Sequence, residues 1–189
     1  MRRGLLVLAL AGLVSGCSGG AGAVDVNNGG QFRFVAATPS GELIAAAERG
    51  VAPRFDGTLL DGTDFESSSM DGTVAVVNFW GQWCAPCRVE TPDFQDVYAD
   101  VQAEGVSFLG VDVKDNDQLA RAFVAENGVT YPSLYDPRGE VGLVFRDYPP
   151  SAIPSTILLD ADGRVAAIYL GPVSEENLRS VIDRLLAEA

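Results

Sequence analysis

Apolar positions along this chain fall into two periodicities, and from about Val51 onward they alternate in a regular order. Thr73 to Phe79 (Thr-Val-Ala-Val-Val-Asn-Phe) is a nearly unbroken apolar run, the pattern of a central strand covered on both faces. Phe94, Val97, Tyr98 and Val101 then recur at i, i+3, i+4 and i+7, which marks one face of a helix. Val106 to Val113 reads as a second buried strand, and Leu119 and Phe123 fall on a short helix closed by Asn127-Gly128. Ser133 to Asp136 fits a short strand and Gly139 to Phe145 a turn or two of helix. Ser155 to Leu159 and Arg164 to Leu170 flank Asp160-Ala161-Asp162-Gly163, a hairpin signature. Ser174 caps a last helix with Glu175 and Glu176 in its first turn and a stripe of Leu178, Val181, Ile182, Leu185 and Leu186. This order predicts an α/β fold: a central mixed sheet with helices on both faces.

The first residues follow a different pattern. Met1-Arg2-Arg3 is cationic and Gly4 to Val14 is apolar. At ~1.5 Å per residue this run spans only about half of a ~30 Å hydrocarbon core, so it reads as a secretory signal rather than a standing transmembrane helix. Its end, Val14-Ser15-Gly16-Cys17, resembles the bacterial lipobox, which implies cleavage before Cys17 and lipidation of its sulfur. The alternative is an ordinary signal with an incidental cysteine. Two acyl chains suffice for stable anchoring, so the expected organisation is a lipoprotein signal over residues 1–16, a lipid-anchored tether over 17–50 and the main domain over 51–189. Residues 18 to about 30 are small and polar, fit for a flexible tether. Gln31 to Ala37 and Glu42 to Ala47, separated by Thr38-Pro39-Ser40-Gly41, form a candidate hairpin. The address places the domain outside the cytoplasm, on the outer face of a bacterial cell membrane.

Composition narrows the partners. The chain has 13 Lys+Arg, 26 Asp+Glu and no His, a net charge of -13. That balance argues against a nucleic-acid partner, which needs clustered cations. A solvated, soluble surface is the simplest meaning of the acidic excess.

The candidate chemistry lies in Trp83-Cys84-Ala85-Pro86-Cys87, between the first buried strand and the amphipathic helix. If the helix begins at or just after Cys84, that sulfur meets unpaired N–H groups and the positive end of the helix dipole, both of which favour thiolate. Cys84 would then attack a substrate disulfide and Cys87, one turn on, would resolve the mixed disulfide. Pro86 suits the first helical turn. A zinc site needs about four Cys or His ligands, and haem attachment needs a histidine where Arg88 stands. A structural disulfide remains an alternative, although so short a loop restrains little chain entropy. No metal and no diffusible cofactor is implied.

Asn78-Phe79-Trp80-Gly81-Gln82-Trp83-Cys84-Ala85-Pro86-Cys87-Arg88 resembles the active-site stretch of thioredoxin-like proteins. Pro92 matches the proline of that family's active-site helix, and Ile153-Pro154-Ser155-Thr156 matches its cis-proline loop. The resemblance implies a thioredoxin-like fold over roughly residues 51–189, with Pro154 cis, beside the thiols and docking substrate backbone. Within this superfamily the chain looks most like the membrane-tethered TlpA/ResA group. The lipoprotein start, Asp61-Gly62 ahead of the Asn78-Phe79-Trp80 strand and the extra residues 114–136 carry that likeness. Glu90 matches a carboxylate that the group keeps near its thiols, which implies proton handling and a raised thiol pKa. The alternative is a solvated glutamate favoured by the helix dipole. Asn78 stands where cytoplasmic thioredoxins carry a buried aspartate, which shifts attention to Glu90.

The function expected from this resemblance is lipid-anchored, extracytoplasmic thiol–disulfide exchange with protein substrates, with Cys84, Cys87, Pro154 and Glu90 as the catalytic set. Reduction is the implied direction, for example of apocytochrome c cysteines before haem attachment, with electrons from a membrane dithiol donor. The rival enzyme is an oxidase that donates its disulfide to secreted proteins. A peroxidase of the same fold is disfavoured because Gly81 stands where such enzymes place Thr or Ser. A non-enzymatic lipoprotein binding module is the rival from outside enzymology.

Overall fold

The computed structural model describes residues 42–189. The leader, Cys17, most of the tether and the Gln31–Ala37 half of the candidate hairpin lie outside the described residues. The other half is not a strand. Ala46–Glu48 form a 3-10 turn, and Ile44 donates a backbone hydrogen bond to the Ala166 carbonyl at 2.8 Å. Leu43 and Ile44 pack onto the main core from this segment, so the folded unit begins before Val51. No helix among the described residues is long and apolar enough to cross a membrane.

The elements are β1 (Asp56–Thr58), β2 (Asp64–Glu66), β3 (Ala75–Trp80), α1 (Ala85–Val101), β4 (Ser107–Val113), α2 (Asp117–Glu126), β5 (Ser133–Asp136), α3 (Glu140–Val144), β6 (Ser155–Leu159), β7 (Val165–Leu170) and α4 (Glu175–Leu186). The five-stranded sheet has the order β5-β4-β3-β6-β7. β3, β4 and β5 are parallel neighbours, whereas β6 and β7 run antiparallel. This is the thioredoxin-like arrangement. The apolar run of residues 73–79 becomes the central strand, every residue of which is buried.

Side-chain alternation along β3 sorts the core into two layers. Val76 packs with Phe94, Val97, Phe108, Leu178 and Ile182, under α1 and α4. Ala75, Val77 and Phe79 pack on the other face with Phe145 and Val141 of the α3 region. A smaller cluster of Leu60, Trp80, Cys84, Cys87, Ala120 and Phe123 covers the end of the sheet beneath α2. α2 buries only Ala120 and Phe123, and Leu119 remains 54% exposed.

The turn at Asp61-Gly62 proves to be the tip of a two-stranded sheet, with Asp56 paired to Glu66 and Thr58 to Asp64. Its strands are three residues long and mostly exposed, so they carry no buried stripe that a hydrophobic pattern could reveal. Gly62 has φ 92°, which favours glycine at that tip.

One buried ion cluster ties both ends of the folded unit together. The Arg49 guanidinium donates to Asp160 at 3.1 Å and to Glu188 at 2.6 Å, and its side chain is 4% exposed. Asp160 also accepts N–H bonds from Asp162 and Arg164 in the β6–β7 turn. Removing the guanidinium would strand the Asp160 carboxylate, so Arg49→Ala should lose roughly 3–5 kcal/mol of stability. A urea titration that shows no fall in midpoint would contradict this role.

Candidate active site

The redox centre is built at the turn from β3 into α1. After Trp80 the chain leaves the sheet, and Gly81 returns through a hydrogen bond from the Cys84 N–H to its carbonyl at 3.0 Å. Cys84 is the N-cap of α1 and Pro86 sits in the first turn. The Cys84 sulfur accepts the N–H of Cys87 at 3.2 Å, so one of the helix's unpaired donors points at it. The two cysteines form a disulfide with Cα atoms 5.3 Å apart. Cys84 is 4% exposed and Cys87 fully buried. Trp83 stands half-exposed beside them, with its indole N–H donating to the Val113 carbonyl at 3.1 Å.

Strand pairing brings the remaining pieces. Ser155 of β6 lies opposite Phe79 of β3, which sets Pro154 next to the end of the strand that delivers Cys84. The Ile153–Pro154 peptide bond is cis, and Ile153 packs against the cluster that contains both cysteines. Pro92 lies inside α1. Thr91 donates its hydroxyl to the Cys87 carbonyl at 2.8 Å in the same stretch.

Glu90 follows Cys87 by three residues on α1, the spacing at which helix side chains are neighbours. It is 3% exposed, so it is no solvated surface glutamate. Its Oε1 accepts from Asn78 Nδ2 at 3.0 Å and its Oε2 from the Val173 N–H at 3.2 Å. Asn78 also donates to Thr156 Oγ1 at 3.2 Å. Burial outweighs these two donors and pushes the Glu90 pKa up to about 7. Asn78 is suited to this position because its amide donates to the carboxylate. An aspartate there would confront Glu90 with a second buried charge.

Two residues of β4 went unnoticed in the hydrophobic pattern. Asp112 on β4 is fully buried, and neither of its oxygens has a hydrogen-bond partner among the described residues. Gly110, two residues earlier, is crowded by Ser133 and Trp80. A Cβ there would collide with Ser133 Oγ and lie 2.7 Å from Trp80 Nε1. The available signal was a lone carboxylate inside the apolar run Val106 to Val113, a residue type almost never fully buried without a reason.

Residues 49–168 match the AhpC/TSA family. The chain belongs to it. Among relatives, the thiol:disulfide interchange protein HelX of Rhodobacter capsulatus is 38% identical over 118 residues, which cover 62% of this chain and 63% of that protein. The thiol-disulfide oxidoreductase ResA of Geobacillus kaustophilus is 30% identical over 144 residues, covering 76% of this chain and 81% of ResA. A secreted thiol-disulfide isomerase from Corynebacterium glutamicum superposes with a TM-score of 0.74 at 36% identity, over 78% of this chain and 92% of that one. The chain is thus a thioredoxin-like thiol–disulfide oxidoreductase related to ResA and HelX, with Cys84–Cys87 as its CxxC disulfide.

The raised Glu90 pKa carries a stability signature. Between about pH 4.5 and 7 the folded protein keeps a proton on Glu90 that the unfolded chain has lost. The associated stability is full below about 4.5 and is lost as pH rises through 7, a change on the order of 3 kcal/mol. Wild type minus Glu90→Gln stability, measured by chemical denaturation across that window, should therefore fall with rising pH. Parallel curves would show that Glu90 titrates normally.

Proposed function

We propose that this protein is a lipid-anchored, extracytoplasmic reductant of protein disulfides, with the cysteines of apocytochrome c as its substrate and a membrane dithiol as its electron donor. In this reading the Cys84 thiolate attacks a substrate disulfide, forming a mixed disulfide and releasing one substrate thiolate. Cys87 then gives up its proton and attacks the Cys84 sulfur, which closes the Cys84–Cys87 disulfide and frees the second substrate thiolate. Two electrons pass to the substrate, and the membrane donor restores the dithiol. Pro154 borders the site where the substrate backbone would lie. In the same reading Glu90, three residues after Cys87, takes the Cys87 proton, and a pKa raised to about 7 supports that role.

The observation that carries the reducing direction is the buried carboxyl of Glu90 one helical turn after Cys87. A couple becomes a strong oxidant when its reduced, thiolate form is stabilised. Here a buried acid lies three residues after Cys87 on the same helix, and the chain has no histidine. Arg88, the residue after Cys87, lies over the Phe123 ring at 5.8 Å. One feature favours the oxidase reading: the N-cap position of Cys84, with the Cys87 N–H on its sulfur, stabilises thiolate. Peroxidase chemistry gains no support, since a Cβ at Gly81 would meet the Trp83 indole nitrogen at 2.5 Å.

The potential of the Cys84–Cys87 couple separates the two directions. A reductant should lie below about -250 mV, whereas a value near ~-120 mV would establish the oxidase. Glu90→Gln should make the couple more oxidising, by roughly 30 mV for each tenfold gain in thiolate stability. Cys84→Ser should abolish disulfide exchange, and unchanged activity would leave only a binding module. The anchor has its own check: Cys17→Ser should move the protein from the membrane to the soluble fraction.

A further inference from the structure

Residues 145–154 join α3 to β6 without a regular element of their own. They end at Pro154, so their course decides where the loop 151–154 stands beside the redox turn. Phe145 is fully buried and meets Phe79 edge-on, with ring centroids 6.0 Å apart. At the other end the Ser155 hydroxyl donates to the Ala152 carbonyl. Tyr148 is the one buried side chain between Phe145 and Pro154; Arg146, Asp147, Pro149, Ser151 and Ala152 are exposed.

The Tyr148 ring lies in the core layer that holds Phe79, Phe145, Ile157 and Val165. Its hydroxyl accepts the Gly50 N–H at 2.8 Å. Gly50 is a fixed point. Its carbonyl accepts the Val165 N–H at 2.8 Å, Ala52 donates to the Gly163 carbonyl at 2.9 Å, and Arg49 is held by Asp160 and Glu188. Gly50 does not have a positive φ, so its backbone conformation does not call for glycine. The contact does, because a Cβ there would lie 2.5 Å from the Tyr148 hydroxyl oxygen. Beyond Tyr148 come Pro149 and Pro150, whose rings lock φ and confine the residue before each to extended conformations. The placement of Tyr148 is thus passed stiffly to Ser151.

We propose that Tyr148 and Gly50 form a strap that positions the loop 151–154 for an extended substrate backbone. Both are positioning residues: the Tyr148 hydroxyl holds the segment to Gly50, and the loop, not the strap, meets the substrate. The strap serves recognition of protein disulfides and leaves the chemistry of Cys84 and Cys87 untouched. A small disulfide that needs no backbone docking is therefore indifferent to it. The inference rests on the reading that substrate backbone lies beside Pro154, and it holds for either direction of electron flow.

Tyr148→Phe keeps the ring and removes the hydroxyl. In the full chain it should raise KM for a disulfide-bonded peptide on the order of fivefold, the equivalent of one ordinary hydrogen bond. Its kcat, the Cys84–Cys87 potential and the rate with a small aromatic disulfide should stay as in the wild type. A merely structural role would instead lower the active fraction and slow both substrates alike. Gly50→Ala should raise the peptide KM in the same way, yet add little in the Tyr148→Phe background, where the hydroxyl it would strike is gone. Amide hydrogen exchange at Ser151, Ala152 and Ile153 in the disulfide form should quicken on the order of fivefold in Tyr148→Phe. Unchanged exchange, equal slowing of both substrates or additive variants would overturn the strap. Quickened exchange with an unchanged peptide KM would overturn it differently, by showing that substrate does not dock at this loop, which is a failure of the proposed function.

Discussion

The placement of Cys84 at the N-cap of α1 governs the rest of the redox centre. At that position the sulfur meets the Cys87 N–H, and Cys87 follows on the next turn within bonding distance. A buried central strand on one side and an amphipathic helix on the other hold the turn in place. The pairing of β3 with β6 brings Pro154 alongside, and its pairing with β4 brings the Asp115 loop to Gln82. A shift of β3 in register would separate all of these at once, because side-chain direction reverses with each residue.

Among the described residues the buried acids are governed more by desolvation than by ion pairs. Where the fold needs a buried charge for cohesion, it supplies partners: Arg49 is met by Asp160 and Glu188. Around the cysteines it does the opposite. Glu90 receives two neutral donors and Asp112 receives none among the described residues, so burial dominates and both acids hold protons near neutral pH. The two acids come from different elements, α1 and β4. Buried acids with raised pKa values thus occur on two elements of a chain without a histidine.

Most of the central sheet and its helices could be read from periodicity. The runs at 73–79 and 106–113 became β3 and β4, and the stripes from Phe94 and from Leu178 became the inward faces of α1 and α4. These elements bury continuous apolar surface, so their residue pattern reports their environment. The β1–β2 hairpin was legible only as a turn, because its short exposed strands gain their order from neighbours: Leu59 bridges to Leu134 on β5. Glu42 to Ala47 resembled a strand yet formed a 3-10 turn, its apolar residues being taken up by the side of the sheet.

The sequence by itself determined the chemistry: two cysteines separated by two residues at a strand-to-helix junction, a proline at 154 and no histidine. These are local features, and local spacing decides whether two thiols can form a small ring at a helix terminus. Only the tertiary structure decided the state of the carboxyl groups. Glu90 in the sequence suits a solvated helix turn as well as a buried acid. What removes it from water is the packing of α1 between β3 and the segment that carries Val173, elements far apart in the chain. Asp112 likewise reads as one polar residue in an apolar strand until β4 is flanked by β3 and β5 in the folded sheet. Desolvation is a property of the assembled neighbourhood, which is why the thiols could be named from their residues while the groups that tune them required the fold.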